Sequence, residues 1–231
     1  MKVLVLASGG VDSTTAIAVA IDKFGKDNVS ALSISYGQKH DKEIQAAKAV
    51  SDYYGINQRF LDLSLIFEGS SCALLKQSGK TIPEESYAEQ IEETGGKKPV
   101  STYVPFRNGL FLSTAASVAL SQECDLIYYG AHGDDSAGFA YPDCSPIFND
   151  YMNKAIWEGS GHQLQIEAPF VNTNKAGVVK IGLELGVPYE LTWSCYEGGD
   201  RPCGKCGTCI DRAAAFAANG VKDPALLKYE D

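Results

Sequence analysis

Apolar residues occur along the chain in two alternating patterns, as short runs and as longer stretches with a spacing of three to four residues. Residues 2–7 form a nearly continuous apolar run, and two glycines separate them from a helical pattern over residues 14–24. An apolar run at 29–35, a helical stripe over 41–54 and a further run at 58–63 follow. Short runs predict buried strands and the wider spacing predicts helices, so the chain opens as β-α-β-α-β.

The alternation stops and then resumes. Residues 64–102 contain several glycines and a Glu-rich segment at 84–93, which we expect to be a solvated helical face within a lid or binding excursion. After it, the pattern predicts a helix over 107–122, a strand over 125–130, a loop over 131–146, a helix over 147–157, a strand at 165–168, a helix over 174–185 and an Ala-rich helix ending at Gly220. Strands alternating with helices predict an α/β fold with a doubly wound parallel sheet, whose ligands bind beyond the carboxyl ends of the strands.

Composition and charge narrow the class of protein. The 231 residues carry a net charge of −9, and no run of five lysines or arginines occurs, so we expect no nucleic-acid partner. No stretch of 18 apolar residues exists, and the first apolar run is too short for a secretory signal, so we expect a cytoplasmic protein without membrane contact. The length predicts a single domain over residues 1–231.

Residues 8–13, Ser-Gly-Gly-Val-Asp-Ser, lie between the first strand and the first helix. Backbone N–H groups and the helix dipole form an anion site there, and paired glycines let a phosphate approach the main chain. Asp12 would repel phosphate on its own, which favours a role as a ligand for Mg²⁺ that bridges the phosphates. The structural alternative is a helix start capped by Ser8 or Asp12.

Four of the seven cysteines lie within fifteen residues, and the other three are scattered and expected to be ordinary buried side chains. The four are Cys195, Cys203, Cys206 and Cys209. Four thiolates without a histidine close in sequence suit a closed tetrahedral Zn²⁺ site, so we expect a structural zinc-binding C-terminal module over residues 192–220. An iron–sulfur cluster and unmetallated thiols are the alternatives.

The loop resembles the pyrophosphate-binding loop of the N-type ATP pyrophosphatases. Together with further motifs, it makes the chain similar to the 7-cyano-7-deazaguanine synthase family. These motifs are SYGQKH at 35–40 with Glu43, YVPFRN at 103–108, YPDC at 141–144, LGVPYELTW at 185–193, SCYEGG at 194–199 and CGKCGTC at 203–209. Residues 133–139 depart from the shorter stretch expected in that family, which leaves open the residue that reads the edge of the base.

The resemblance implies a Rossmann-like fold of the adenine nucleotide alpha hydrolase type and a ligase that forms carbon–nitrogen bonds in queuosine biosynthesis. Its substrates would be 7-carboxy-7-deazaguanine, ammonia and two molecules of ATP. The carboxylate would be adenylated and converted to an amide, and a second adenylation would allow the nitrile to form. Mg²⁺, a structural Zn²⁺ and a homodimer are also implied, and free ammonia is expected because no glutaminase segment is visible.

The same resemblance implies the site residues. Those for the nucleotide are Ala7, Ser8, Gly9, Gly10, Val11, Asp12, Ser13, Thr14, Thr15, Ala16, Ile17, Ser33, Tyr36 and Gln38. Those for the reaction are Asp12, Ser13, Arg107 and His40. Those for the base are Tyr103, Phe106, Arg107, Asn108, Asp134, Tyr141 and Asp143, with Asp135 as a further candidate for its edge.

For several of these residues a purely structural role is the alternative. Arg107 is suited to bidentate binding of a carboxylate or phosphate, or to a surface salt bridge. His40 could be a loop residue held by hydrogen bonds, and each aromatic residue could be core. Trp157 and Trp193 are expected to pack. We further expect zinc to hold residues 193–209 beside the sheet, where they would close one wall of the site.

Three rival functions share part of this pattern. A tRNA thiolase would use the same loop chemistry, but such enzymes generally carry a basic RNA-binding module, and this chain is acidic. A nucleotide-sensing protein would bind ATP without turnover. A homologue that stops at the amide would release one AMP for each product.

Overall fold

Five parallel strands form the central sheet of the computed structural model, which describes residues 1–95 and 98–229. The strands are β1 (Val3–Leu6), β2 (Val29–Ser35), β3 (Asn57–Asp62), β4 (Leu126–Tyr128) and β5 (Gln165–Glu167). Their order is β3-β2-β1-β4-β5, and every neighbouring pair is parallel. The chain therefore builds outward from β1 in one direction and then crosses to the other side, which places a topological switch between β1 and β4.

Helices cover both faces of this sheet. They are α1 (Val11–Phe24), α2 (Lys42–Tyr54), α3 (Tyr87–Thr94), α4 (Arg107–Ser121), α5 (Pro146–Gly159), α6 (Lys175–Glu184), α7 (Gly207–Ala218) and α8 (Pro224–Leu227). Short 3₁₀ turns occur at Lys26–Asn28, Ser64–Phe67, Lys76–Ser78, Gly133–Phe139, Pro142–Cys144 and Tyr189–Leu191. The predicted Rossmann-like doubly wound α/β sheet is confirmed.

Successive residues of a strand are buried against helices on opposite faces of the sheet. Val3 and Val5 of β1 join a core with residues of α1, α6 and α7, whereas Leu4 joins a second core with residues of α4 and α5. Successive side chains of a strand point to opposite faces, so a strand buried on both faces needs apolar residues throughout. The continuous apolar run that predicted β1 has this cause.

The start of α1 and the exposure of one side of α3 differ from the predictions. Helix α1 begins at Val11, three residues earlier than predicted, because Gly10 already serves as its N-cap. The excursion, residues 64–102, contains α3, which begins with a capping box between Ser86 and Glu89. The predicted solvated face is wrong for one side of α3, since Gln90 is only 6% exposed and Tyr87 packs against the core.

The C-terminal region is held together by a buried ion pair and is joined to the loop after β1 by a backbone hydrogen bond. The Arg212 guanidinium forms a buried bidentate pair with Asp223 at 2.6 and 2.8 Å and also donates to the Ser194 hydroxyl at 3.1 Å. The Trp193 backbone N–H donates to the Gly9 carbonyl at 2.9 Å. The region that carries the cysteines is thereby held against the loop at residues 8–13.

Among the described parts of the chain, no helix has both the length and the apolar character required to cross a bilayer.

Candidate active site

A large cavity lies beyond the carboxyl ends of β1, β2 and β4, beside the topological switch. Its wall is built from the loop after β1, the end of β2 and the residues that follow it, the starts of α2, α3, α4 and α6, the segment after β4, and the C-terminal region. The lining residues are Leu6, Ala7, Ser8, Gly10, Val11, Asp12, Ser13, Leu32, Ser33, Ile34, Tyr36, Gln38, Glu43, Ile44, Tyr87, Arg107, Asn108, Phe111, Tyr129, Gly130, Ala131, His132, Asp135, Tyr141, Cys144, Lys175, Trp193, Ser194, Tyr196, Thr208 and Asp211.

The two glycines of the loop have different tasks. Gly9 has a φ of +82°, and a Cβ there would lie 2.3 Å from the Glu43 carbonyl oxygen, so this glycine lets α2 approach the loop. Gly10 faces the cavity with a φ of −83°, and an added Cβ there would make only ordinary contacts, at 3.5 and 3.7 Å. The loop is held by the Ser8 and Ser13 hydroxyls, which lie 3.0 Å apart. Gly10 therefore leaves room for an anion at the start of α1.

A charged network surrounds Asp12. One carboxylate oxygen accepts from the Lys175 ammonium at 2.5 Å, and the other lies 3.8 Å from Nε2 of His132. His132 is 5% exposed, and the same nitrogen is 3.4 Å from Asp135. Burial opposes ionisation of Asp12, but the charges of Lys175 and His132 and the hydrogen bond from Lys175 together outweigh it and lower the pKa, whereas burial raises the pKa of Asp135. Asp12 is therefore an anion, and its Oδ1 has no hydrogen-bond partner within residues 1–95 and 98–229.

The opposite end of the cavity is aromatic and carries two further charges. The Arg107 guanidinium donates to the Tyr36 hydroxyl at 3.3 Å and lies 5.1 Å from the centre of the Tyr36 ring and 6.0 Å from that of Phe111. The Glu43 carboxyl, from the first turn of α2, lines the same end. Burial raises the pKa of Glu43 to about 7, although the charge of Arg107 opposes the rise.

Three tyrosines from separate segments meet at the wall. The hydroxyls of Tyr87 in α3 and Tyr196 beside the cysteines are 2.6 Å apart. The Tyr141 hydroxyl is 2.6 Å from that of Thr102, and its ring meets the Tyr87 ring edge to face at 5.5 Å. Gly207 allows close contact with the Tyr87 ring, since a Cβ there would lie 3.1 Å from it. The excursion and the C-terminal region are thus joined at the cavity.

The four cysteines form a compact group. The Sγ atoms of Cys195, Cys203, Cys206 and Cys209 all lie within 4.8 Å of one another. The Cys203 N–H donates to the Cys195 sulfur at 3.3 Å, and the Lys205 and Cys206 N–H groups donate to the Cys203 sulfur at 3.4 Å. Hydrogen bonds from Cys206 and Cys209 lower the pKa of Cys195. Four soft ligands with N–H donors around them fit a tetrahedral metal ion, so the group can hold a metal.

Many residues predicted for the site line the cavity. They are Ala7, Ser8, Gly10, Val11, Asp12, Ser13, Ser33, Tyr36, Gln38, Arg107, Asn108 and Tyr141. Gly9 does not, because it faces α2, and the next residues of α1 turn into the core with Ala16 and Ile17. The Thr14 hydroxyl donates to the Gly10 carbonyl, and that of Thr15 pairs with Tyr189 at 2.8 Å. Trp193, expected only to pack, is buried but also lines the cavity.

The two predicted stacking residues next to Arg107 lie off the wall. Phe106 is 59% exposed, has a φ of +52° and packs edge to face against Phe148 at 6.0 Å. The Tyr103 hydroxyl accepts from the Phe106 backbone N–H at 2.8 Å. Neither residue lines the cavity, and both take part in the turn that begins α4.

Two of the predicted base-edge aspartates cap helices instead. Asp143 is buried and accepts from the Asn108 N–H at 2.8 Å, at the start of α4. Asp134 accepts from the Lys175 N–H at 2.8 Å, at the start of α6. Neither residue lines the large cavity. A carboxylate at a helix N-terminus satisfies free N–H groups, which explains these positions without a ligand.

His40 also lies off the cavity wall. Its Nδ1 accepts from the Lys42 N–H at 3.3 Å, and its ring meets Trp193 edge to face at 6.3 Å. Gly198 lies directly against the ring, since a Cβ there would be 2.2 Å from it. The structural alternative for His40 therefore matches its surroundings.

Several lining residues had no assigned role in the sequence analysis. Glu43 and Tyr196 stand within the family motifs, and Lys175 follows the capping residue of a predicted helix, so these positions carried a local signal. His132 lies in the loop at 131–146, and Tyr87 lies in the excursion at 64–102, which was expected to be a lid or binding segment without a named site residue. All five reach the cavity through the tertiary structure.

Comparison with known proteins gives a consistent result along the whole chain. A family model described as "Queuosine biosynthesis protein QueC" matches residues 2–220. A 7-cyano-7-deazaguanine synthase of Archaeoglobus fulgidus is 42% identical over 231 residues, covering 100% of this chain and 92% of the relative. One from Psychromonas ingrahamii is 39% identical over 230 residues, covering 100% and 98%.

Solved structures show similarity of fold at low sequence identity. A U34-tRNA thiolase, NcsA, from Methanococcus maripaludis, solved with its [4Fe-4S] cluster, has a TM-score of 0.51 at 16% identity and covers 94% of this chain and 65% of its own. An NH₃-dependent NAD synthetase from Campylobacter jejuni has a TM-score of 0.50 at 16% identity and covers 100% and 79%. At these identities the likeness concerns architecture, so neither protein's activity carries over.

Proposed function

The chain belongs to the QueC family of queuosine biosynthesis proteins, and from this premise we propose that it converts 7-carboxy-7-deazaguanine and ammonia to 7-cyano-7-deazaguanine with two molecules of ATP. Its curated relatives are synthases, so the chain is an enzyme. One observation carries the proposed reaction: a single cavity joins a phosphate-binding loop to an aromatic pocket with a guanidinium and a carboxyl group. The proposal includes a cytoplasmic homodimer without a nucleic-acid partner, in keeping with the family resemblance and the net charge of −9.

ATP would bind with its phosphates at the loop. The backbone N–H groups of residues 8–13 and the N-terminus of α1 supply the anion site, and Lys175 adds a positive charge beside it. The Ser33 hydroxyl already donates to the Ala7 carbonyl at 2.6 Å and accepts from Gln58 at 2.8 Å. The Ser33 hydroxyl is therefore occupied, and backbone groups at the end of β2 would recognise adenine there.

The residues around the loop fit a bound Mg²⁺. Asp12 has a buried carboxylate oxygen that forms no hydrogen bond with any residue the structure describes, and hard oxygen ligands are those that Mg²⁺ prefers. When bound, the ion would neutralise charge that develops on the pyrophosphate leaving group. Within the described chain no cluster of three carboxylates is close enough for a separate site, so Asp12 and the phosphates would hold it together.

The chemistry proceeds in two activations. A substrate carboxylate oxygen attacks the α-phosphorus of ATP, and pyrophosphate leaves. Ammonia then attacks the acyl carbon, loses a proton, and AMP leaves with the electrons of the broken C–O bond. The resulting amide oxygen attacks the α-phosphorus of a second ATP, and a second pyrophosphate leaves. Departure of AMP with the electrons of the C–O bond and loss of both nitrogen-bound protons then leave the nitrile. The chain contributes position and charge, and no side-chain nucleophile is needed.

Zn²⁺ is the metal that we propose for the four cysteines. Four protein thiolates leave no open coordination position, so its role would be structural. Trp193, Ser194 and Tyr196 line the cavity directly before or beside the first cysteine. A metal in this group would thus hold one wall of the active site.

The deciding experiment is incubation of the protein with Mg-ATP, ammonium and 7-carboxy-7-deazaguanine. The base is followed by mass spectrometry, and AMP and pyrophosphate are counted for each product molecule. Nitrile with two AMP supports the proposal, amide with one AMP indicates that the reaction stops early, and absence of AMP contradicts an adenylating enzyme.

A pair of matched variants links this activity to the site. Asp12→Asn removes the loop carboxylate and is expected to lower AMP formation by roughly 100-fold or more, since a metal ligand is lost. Asp52→Asn makes the same chemical change on α2, where the side chain is exposed and pairs with Lys48 at 2.7 Å. It is expected to keep the wild-type rate.

A further inference from the structure

A guanine-type base presents a defined pattern along one edge. The carbonyl oxygen O6 accepts a hydrogen bond, and the ring N1–H and the 2-amino group beside it donate. A wall that reads this edge therefore needs one donor next to a group that accepts two hydrogen bonds. A guanidinium beside a carboxylate supplies that arrangement.

Four carboxylates line the large cavity within the described residues, and two of them are committed to its phosphate end. Asp12 is bound to Lys175. Asp135 lies 3.4 Å from the buried His132. Both carboxylates lie beside the loop that would hold pyrophosphate. Additional negative charge at that end would not help to bind the neutral edge of a base.

Asp211, on α7, belongs to the same end of the cavity. Its charged neighbours are Lys175, His132 and the acidic residues Asp134 and Asp135. It also lines a second cavity together with alanines of α7. The nearest positive charge, on Lys175, already serves Asp12.

Glu43 stands apart from this group. Its carboxyl lines the cavity beside Arg107 and Tyr36, and it has no hydrogen bond or ion pair with any residue of the described chain. The Arg107 guanidinium donates to the Tyr36 hydroxyl, and no carboxylate of residues 1–95 and 98–229 lies within ion-pair distance of it. A guanidinium and a carboxyl group that face one cavity without an ion pair between them leave hydrogen-bond donors and acceptors free for a ligand.

We propose that Glu43 and Arg107 together read the edge of the base, with Glu43 accepting from N1–H and the 2-amino group and Arg107 donating to O6. This inference rests on the proposed function and specifies its substrate class as a base with the guanine donor–acceptor pattern. The rings of Tyr36 and Phe111, which lie next to the guanidinium, provide apolar surface for the plane of the base.

The test compares two ligands that differ by one donor. Equilibrium binding of 7-carboxy-7-deazaguanine and of 7-carboxy-7-deazahypoxanthine, which lacks the 2-amino group, is measured by calorimetry on the wild type, Glu43→Gln and Asp211→Asn. The wild type is expected to bind the guanine-type base about 10- to 100-fold more tightly, the range for one hydrogen bond to a charged group. Glu43→Gln is expected to reduce this ratio to within about threefold, and Asp211→Asn is expected to keep it.

Three results would overturn the inference. Equal wild-type affinity for both bases would show that the 2-amino group is not read. A ratio lost in Asp211→Asn and kept in Glu43→Gln would assign the edge to the other carboxylate. An unchanged base ratio with weakened binding of a non-hydrolysable ATP analogue in Glu43→Gln would assign Glu43 to adenine.

The binding experiment distinguishes this inference from the proposed reaction, and a second variant replaces Glu43→Gln if that protein does not fold. Binding needs no turnover, so a wild type that discriminates between the bases but releases no AMP would refute the proposed reaction and leave this inference standing. If Glu43→Gln fails to fold, Glu43→Asp, which keeps the charge on a shorter side chain, is expected to give an intermediate ratio. A wild-type ratio in Glu43→Asp would count against direct contact.

Discussion

We expect alanine substitution of the two glycines of the phosphate loop to have different effects. Gly9→Ala should lower stability, and Gly10→Ala should weaken ligand binding. Gly9 has a φ of +82°, and a Cβ there would lie 2.3 Å from the Glu43 carbonyl oxygen and 2.5 Å from the Ala47 nitrogen. Both atoms belong to the backbone of α2, which cannot move aside without shifting the helix. Gly9→Ala therefore combines an unfavourable left-handed conformation with overpacking between the loop and α2.

The expected loss in free energy of unfolding is the sum of these two costs. A side chain in the left-handed region costs about 1–2 kcal/mol, and overpacking of a core adds about 1–3 kcal/mol. The free energy of unfolding should therefore fall by roughly 2–5 kcal/mol, which for a chain of this length lowers Tm by roughly 5–15 °C.

Gly10→Ala provides the control within the same motif. Gly10 has a φ of −83°, and the nearest atoms to its added Cβ are 3.5 Å and 3.7 Å away. Its Tm should stay close to that of the wild type, since alanine also restricts the unfolded chain. The methyl group would enter the cavity at the start of α1, so affinity for ATP should fall.

Thermal unfolding by circular dichroism and calorimetric titration with an ATP analogue measure the two effects. A Tm of Gly9→Ala within 2 °C of the wild type, or a loss of equal size in Gly10→Ala, would refute the assignment of Gly9 to helix packing.

Four further changes test the structure. Asp223→Asn removes the partner of the buried Arg212 guanidinium and should lower the free energy of unfolding by about 3–5 kcal/mol in urea; a change below 1 kcal/mol would contradict a buried pair. Tyr196→Phe removes the hydroxyl 2.6 Å from that of Tyr87 and should cost about 1–2 kcal/mol, and an unchanged Tm would argue against this contact. Stripping metal with a chelator should lower Tm and zinc should restore it, whereas a metal-free protein with wild-type Tm would exclude a structural ion. Burial raises the pKa of Glu43 to about 7, so between about pH 4.3 and 7 the folded protein holds a proton that the unfolded chain has lost. The free energy of unfolding should therefore fall as pH rises through this window. Glu43→Gln should remove this pH dependence, and an unchanged curve in that variant would contradict the reasoning.

Sequence patterns predicted the features that depend on neighbouring residues. The five strands, the loop after β1 and the group of four cysteines are each encoded within short segments, and each was recognisable from spacing alone. Element boundaries shifted by a few residues where a cap decided them, as at Gly10 before α1. The family motifs added the reaction class, because they recur together along the whole chain.

Base recognition could not be predicted in the same way. Asp134 and Asp143 have the right chemistry in a loop that reaches the site, yet both accept hydrogen bonds from N–H groups at helix starts. A side chain that satisfies a nearby helix terminus is no longer available to a ligand, and sequence does not show which of these uses prevails.

The amino-acid sequence by itself determined the strands, the helices, the anion-binding loop and the cysteine group, because each rests on short-range spacing and on covalent neighbours. Only the tertiary structure brought Glu43 beside Arg107 and Tyr87 beside Tyr196. These pairs join segments far apart in sequence, and their meeting depends on the strand order and on the crossover from β3 to β4. The physical reason is that packing of the helices on both sheet faces, a property of the whole chain, sets where each loop ends.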